Sequence, residues 1–384
     1  MTFNLSKRIE QIPESVFTTM SRLAVENNAV NLGQGFPDFN GPDWLIEEVF
    51  NAMKQGKNQY APSIGILTLR KNISQLYRSI YDINWSFENE IIVTTGATEA
   101  LFSAIHSIIN EGDEVIIFEP FYDSYIYDVL LANGVPKFVT LHKPDFSFRV
   151  DRFEKAITDK TKLIILNNPH NPTGKVYSFE ELKIISDLAI KHNLIVISDE
   201  VYEFLTYDNV NHIPISTLPG MKNRTITISS AGKTFGFTGW KIGWACANKE
   251  FIKGIHSIRQ WTTFAVNTPC QHAIAYGLTK INEYLPDFRK LYQAKRDFII
   301  KELKDSLFAP TIPYGSYFIM VDIPQSKNDM ELAIELVKDY KVATIPPSVF
   351  YSISDEGKSM LRLCFAKQDH TLKSGIKRLK EYKI

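Results

Sequence analysis

Between about residue 90 and residue 250 the chain alternates short β-branched runs with turns and amphipathic helical stretches, and this alternation constrains the fold more than any other feature. The runs are Ile91 to Thr94, Glu114 to Phe118, Lys162 to Leu166, Leu194 to Ser198, Thr225 to Ser230 and Lys241 to Cys246. Several are apolar on both faces, the pattern of strands covered by helices on either side of a mostly parallel sheet. The expectation is an α/β fold whose chemistry gathers where strands end, at the carboxyl edge. After about residue 280 the character changes to a long charged helical pattern from Asn282 to about Leu307. Short strands near Tyr317 to Asp322 and Met360 to Phe365 follow, then a final helix. The expected division is a large α/β domain over 43–280 and a smaller, discontinuous α+β domain built from 1–42 and 281–384.

Charge narrows the partners. Lys plus Arg number 43 and Asp plus Glu 43, so the formal charge is zero and no basic block offers a footprint for nucleic acid or an anionic membrane. The apolar runs are strand-length, and the opening MTFNLSKRIE has neither a long apolar stretch nor a small-residue cleavage site, so no membrane span or leader is expected. The three cysteines, Cys246, Cys270 and Cys364, are odd in number and set among apolar or small neighbours, which reads as reduced core thiols and a cytoplasmic protein. The eight histidines show no HExxH or CxxC-type spacing, so no metal is expected.

Candidate chemistry sits after the strand runs. Lys233, in Ser229-Ser230-Ala231-Gly232-Lys233-Thr234, follows a strand amid small and aromatic residues; desolvation there would lower its pKa and make it a nucleophile for carbonyl groups, whereas a solvated loop would leave it an ordinary lysine. A P-loop is ruled out, because the first glycine of that motif would fall at Thr227. Asp199 closes the run Leu194 to Ser198, where a buried carboxylate needs a cation or good donors; Tyr202 lies three residues on. A helix cap or an internal ion pair fits Asp199 equally well. The turn Asn167-Asn168-Pro169-His170-Asn171-Pro172-Thr173-Gly174 is rigid enough to aim the Asn171 amide, or simply to reverse the chain.

Thr94-Thr95-Gly96-Ala97-Thr98 runs from a strand through glycine into a helix, whose free N–H groups suit a phosphate or carboxylate. Tyr122 offers a ring for stacking or for the core. Arg362, inside an apolar strand, needs an anion of fork geometry, either a substrate carboxylate or an internal acid.

Taken in chain order, these features resemble the class I aminotransferases of the pyridoxal phosphate fold type I superfamily, over essentially the whole chain. The residues that carry the resemblance are Val30-Asn31-Leu32-Gly33-Gln34-Gly35-Phe36-Pro37-Asp38-Phe39, Asn58-Gln59-Tyr60-Ala61-Pro62, the Asn-Pro-x-Asn-Pro turn, Ser198-Asp199-Glu200-Val201-Tyr202-Glu203, and Gly232-Lys233-Thr234 with Thr238-Gly239-Trp240-Lys241. Gly-Trp-Lys, where many members have arginine in place of Lys241, is similar to the methionine aminotransferase and kynurenine aminotransferase (glutamine transaminase K) branch.

The resemblance implies roles. Lys233 would bind pyridoxal phosphate covalently and move a proton at the substrate Cα, Asp199 would pair with the pyridine nitrogen, and Asn171 and Tyr202 would hydrogen-bond the ring oxygen. Tyr122 would stack on the ring. The phosphate would be held by Gly96, Ala97, Thr98, Ser230, Lys241 and Tyr60 of a neighbouring copy, making a homodimer part of the site. Arg362, with Asn171 and Gly35, would grip the substrate carboxylate, and Phe17 would line the side-chain pocket, with Phe264 or Asn267 reaching in from the partner.

The implied activity is ping-pong transfer of an amino group from an L-amino acid (methionine, aromatic, kynurenine or glutamine type) to a 2-oxo acid. A cysteine-conjugate β-lyase on the same scaffold is the alternative. An inactive cofactor-binding regulator lacks the DNA-binding extension it would need. A nicotinamide oxidoreductase lacks G-x-G-x-x-G after a strand.

Overall fold

The computed structural model describes residues 6, 9–10 and 12–383, so the reading of the first ten residues falls mostly outside the described ones. The described strands are β1 (Val30–Asn31), β2 (Ile91–Thr95), β3 (Glu114–Glu119), β4 (Val135–His142), β5 (Ser147–Phe148), β6 (Thr161–Asn167), β7 (Ile195–Asp199), β8 (Thr225–Ser230), β9 (Ile242–Cys246), β10 (Phe318–Asp322), β11 (Val342–Ala343) and β12 (Met360–Cys364). Eight of them form one sheet in the order β2-β9-β8-β7-β6-β3-β4-β5. The β8-β7-β6-β3-β4 run is parallel, and β9 and β5 are antiparallel to their neighbours.

Alternation along the central strands explains why the runs read as apolar throughout. Ile116, Phe118, Ile164, Leu166 and Val196 pack into one cluster, while Val115, Ile117, Leu163, Ile165 and Ile197 pack into another on the opposite face. Helices cover each face. Phe179–Lys191 is started by a capping box in which the Ser178 hydroxyl accepts from Glu181 N–H and the Glu181 carboxylate accepts from Ser178 N–H.

The elements expected beyond residue 280 are present with shifted ends, and the helix Asp329–Lys338 and strand β11 between them were not anticipated. The long helix is Ile281–Leu303 and stops short of Leu307, because Asp305 and Ser306 turn the chain and the Ser306 hydroxyl accepts from Phe308 N–H. Strand β4 was not anticipated; Pro136 and Lys137 hide its apolar alternation. The N-terminal segment joins this part of the molecule, with β1 pairing in parallel with β11. Among the described residues no helix is long and apolar enough to cross a membrane.

Strand register delivers the candidate residues to one edge. Asn167 lies opposite Asp199 at the ends of β6 and β7, and Ser230 and Thr94 both lie opposite Gly243. Because β9 runs antiparallel, its beginning, just after Lys241, meets the ends of β2 and β8. The backbones come so close here that a Cβ on Gly243 would lie 2.5 Å from the Gly96 carbonyl carbon and 2.7 Å from Ala97 N. Gly243→Ala is therefore expected to destabilise the protein by about 1–3 kcal/mol through overpacking, seen as an earlier urea midpoint. An unchanged midpoint would show that this approach is not tight.

Candidate active site

At the carboxyl edge a cavity of about 320 Å³ opens, and thirteen of the fourteen site residues expected from the sequence line it. The fourteenth, Tyr60, lies outside it. Its side chain is 83% exposed and makes an edge contact with Phe264, ring centroids 5.4 Å apart. Asn267 caps the helix Thr268–Thr279, its side-chain oxygen accepting from Cys270 N–H at 3.0 Å.

The anion-binding end is built by β2, β8 and β9. Gly96 starts the helix Gly96–Ile108 with φ +73°, and a Cβ there would sit 3.2 Å from Lys241 Nζ. Lys241 itself adopts a left-handed conformation, φ +54°, which swings its amine over the helix start, 3.4 Å from the Thr98 hydroxyl. The Ser230 hydroxyl accepts from Gly232 N–H at 3.2 Å. A glycine start, free N–H groups, two hydroxyls and an ammonium make a phosphate cradle.

Asp199 lines the same cavity. Its carboxylate accepts from the Tyr125 hydroxyl at 2.6 Å and from Val201 N–H at 3.3 Å, yet burial pushes its pKa up to about 6. No cation among the described residues is hydrogen-bonded to it, which sets aside an internal ion pair, and Val201 to Phe204 after it form turns and not a helix, which sets aside a helix cap. A cationic ring nitrogen is the kind of partner that would hold it ionised. The neighbouring turn is tied to the same strand end: Asn167 Nδ2 donates to the Asp199 carbonyl at 2.9 Å, and Asn167 Oδ1 accepts from Asn171 N–H at 2.7 Å.

Arg362, on β12, is 1% exposed. One terminal nitrogen donates to Asn171 Oδ1 at 2.9 Å, the other to the Gly33 carbonyl at 2.9 Å, and Nε has no hydrogen-bond partner among the described residues. Three aromatic rings surround the guanidinium, those of Phe318 at 4.1 Å, Phe17 at 5.0 Å and Phe350 at 5.4 Å. Burial lowers its pKa to about 10. A charge held among rings and neutral oxygens, with no carboxylate among the described residues hydrogen-bonded to it, is prepared for an anion from outside. Because Asn171 commits its oxygen to Arg362, its amide N–H₂ is left to donate into the cavity.

Lys233 sits on the one-turn helix Ala231–Thr234 after β8. Its amine donates to the Tyr317 hydroxyl at 2.7 Å and to the Gly35 carbonyl at 3.3 Å, and burial lowers its pKa to about 8. Tyr202 is buried, its ring near-perpendicular to that of Tyr317, with centroids 5.1 Å apart. Sequence reasoning missed Tyr125 and Tyr317. Tyr125 was discoverable as the residue one helical turn beyond Tyr122, on the helix Ser124–Leu131, whereas Tyr317 precedes a strand and carries no local signal.

A phosphate cradle, a buried carboxylate lacking a cation, an amide aimed inward and a desolvated amine fit pyridoxal phosphate, with the unpaired arginine left over for its substrate. The model for aminotransferase class I and II matches residues 27–379. A kynurenine–oxoglutarate transaminase of Dictyostelium discoideum is 43% identical, covering 97% of this chain and 94% of its own length. The solved structure of a protein from Escherichia coli identified as a methionine aminotransferase superposes with TM-score 0.95 at 36% identity, covering 99% of this chain and 100% of its own. That of N-succinyldiaminopimelate aminotransferase from Mycobacterium tuberculosis does so with TM-score 0.95 at 39% identity, covering 98% and 99%. The chain thus belongs to the class I and II aminotransferases, with the α/β fold type I architecture, and is a pyridoxal phosphate-dependent amino-acid aminotransferase.

Proposed function

We propose that this enzyme takes the amino group from an L-amino acid with an apolar or aromatic side chain, of the methionine, aromatic or kynurenine kind, or from glutamine, and passes it to a 2-oxo acid. The observation that carries the reading is the buried Arg362, paired with no carboxylate among the described residues and ringed by Phe17, Phe318 and Phe350. Among the described residues that line the cavity, the cations are Lys233, Lys241 and Arg362, and each has an anion, aldehyde or carboxylate to meet. None is left for a second, distal carboxylate, so dicarboxylic donors fit poorly. The relatives named for kynurenine and methionine act on side chains of the kind these walls would accept.

Bound pyridoxal phosphate supplies an aldehyde for the amino group and a ring that stores the electron pair left at the substrate Cα. The residues do the rest. Gly96, Ala97, Thr98, Ser230 and Lys241 hold the phosphate, and Tyr122 covers the ring face. Asp199, kept in place by Tyr125, neutralises the ring nitrogen, while Asn171 and Tyr202 donate to the ring oxygen. Arg362, Asn171 and Gly35 fix the substrate carboxylate, and Phe17 closes the side-chain pocket. Lys233, as a neutral amine, would take the Cα proton and deliver it to the carbon that had been the cofactor's aldehyde carbon. The exposed Tyr60 serves the phosphate of a second copy in a homodimer. The large domain spans 43–280, and the described residues of 1–42 and 281–384 form the small one. Buried free thiols at Cys246, Cys270 and Cys364 suit a reducing cytoplasm.

Arg362→Lys replaces a two-pronged contact with a point charge and is expected to lower kcat/KM for amino acids about 10- to 100-fold while leaving the visible band of the bound cofactor in place. Unchanged kcat/KM would take the carboxylate role from Arg362. Across a donor panel, kcat/KM for the best of methionine, phenylalanine, kynurenine and glutamine is expected to exceed that for aspartate by about 100-fold or more, the cost of burying a second carboxylate unpaired. Aspartate as the best donor would overturn the proposed substrate class.

A further inference from the structure

We propose that Tyr317 is a positioning residue of the reaction: its hydroxyl, together with the Gly35 carbonyl, docks the Lys233 amine whenever that amine is not bonded to the cofactor and aims its lone pair into the cavity. The inference rests on the reading of Lys233 as the cofactor-anchoring and proton-carrying amine.

Counting donors leads to it. A neutral amine has two N–H bonds and one lone pair. Lys233 Nζ has two acceptors, the Tyr317 oxygen at 2.7 Å and the Gly35 carbonyl at 3.3 Å. The two oxygens are hydrogen-bonded to each other and so lie on the same side of the nitrogen, where they share one N–H; the second N–H and the lone pair face away from them, and the lone pair is the position that must meet the aldehyde and later the Cα proton. The two acceptors are themselves joined, since the Tyr317 hydroxyl donates its single proton to the Gly35 carbonyl. With its proton spent on the carbonyl, the phenol meets the amine as an acceptor.

Each partner is held where it is by packing. Tyr317 is 1% exposed, its ring wedged between Tyr202, at 5.1 Å and 80°, and Tyr292, at 6.2 Å and 23°. Gly35 lies so close to the next residue along β10 that a Cβ on it would fall 2.8 Å from Phe318 Cζ. Its loop is pinned in turn by Asn31, whose side-chain oxygen accepts from Gly33 N–H at 2.9 Å and Gln34 N–H at 3.0 Å. The dock therefore joins three separate parts of the chain, and loss of one oxygen would free the amine to rotate.

The docking bond also bears on the amine's protonation. Asp199 and Cys364 favour the charged amine, while burial, Lys241 and Arg362 oppose it, and the phenol rings of Tyr202 and Tyr317 lie 5.6 and 5.3 Å from the nitrogen. A hydrogen bond accepted from an ammonium is stronger than one accepted from an amine, so the Tyr317 oxygen favours the charged form. Removing it moves the amine's titration to lower pH.

Tyr317→Phe tests this, since it removes the oxygen and keeps the ring. In full-length enzyme stripped of cofactor, the rate of pyridoxal phosphate capture at each pH follows the neutral amine and is expected to rise in the wild type with a midpoint near 8. In the variant that midpoint is expected about half a pH unit lower or more, and in the reloaded enzyme kcat is expected to fall about 10-fold or more with the amino-acid KM within about threefold. Borohydride reduction and peptide mapping of both proteins place the label on Lys233. Coincident pH profiles, or kcat within about twofold of wild type, overturn the proposal while leaving Lys233 in its role. A label on another lysine removes the reading of Lys233 and the proposal with it. If Tyr317→Phe does not fold, 3-fluorotyrosine at position 317, a poorer acceptor of the same shape, must shift the midpoint the same way by less; an unmoved midpoint overturns the proposal.

Discussion

Asp199, Lys233 and Arg362 are gathered in one cavity, largely withdrawn from water, and none is spent on another as an ion pair. That constraint governs the rest of the structure. Each charge pays a desolvation cost, visible as a carboxylate pKa raised to about 6, an amine lowered to about 8 and a guanidinium lowered to about 10. Neutral donors and acceptors from the frame hold them apart: the Tyr125 hydroxyl for Asp199, Tyr317 and the Gly35 carbonyl for Lys233, Asn171 and the Gly33 carbonyl for Arg362. Because the partners are neutral, the charges remain available to a cofactor and a substrate that carry the complementary ones.

The sheet makes this affordable in geometry. Parallel strands bring Asn167, Asp199 and Ser230 to a common edge, and the one reversed strand among them brings Lys241 back to it. Arg362 and the Gly33–Gly35 loop come from a separate set of pairings, β1 with β11 and β10 with β12. The cavity lies where these two sets meet, and Phe17, on the helix Val16–Glu26, closes over Arg362 and stacks on Phe350 at 5.8 Å.

How much of this was legible in the sequence depends on whether a residue's meaning is local. Asp199, Lys233 and Asn171 follow strand runs or sit in a turn whose prolines dictate its shape, so residue type and position together point to the edge. Arg362 was legible as a charge in an apolar strand, though its choice between a substrate and an internal acid required seeing that neutral oxygens take its terminal nitrogens. Tyr125 and Tyr317 were not read out, because a tyrosine in a helix or beside a strand looks like core until its hydroxyl is seen to meet a carboxylate or an amine. Strand β4 was missed for a related reason, its proline and lysine breaking a pattern that pairing with β3 restores. Helix ends such as Leu303 were misplaced because polar residues continue the helical period past the point where a serine turns the chain.

The most direct test of the account is a single turnover. Enzyme loaded with pyridoxal phosphate is mixed with excess L-methionine and no oxo acid, and the 2-oxo acid released is counted against the number of chains while the cofactor's visible band is followed. The account predicts that a single equivalent per chain appears, that the band is lost in step with it, and that the reaction then halts until an oxo acid is added. Continued release of oxo acid with ammonia, or a band bleached with none released, would contradict a transaminase built on these residues.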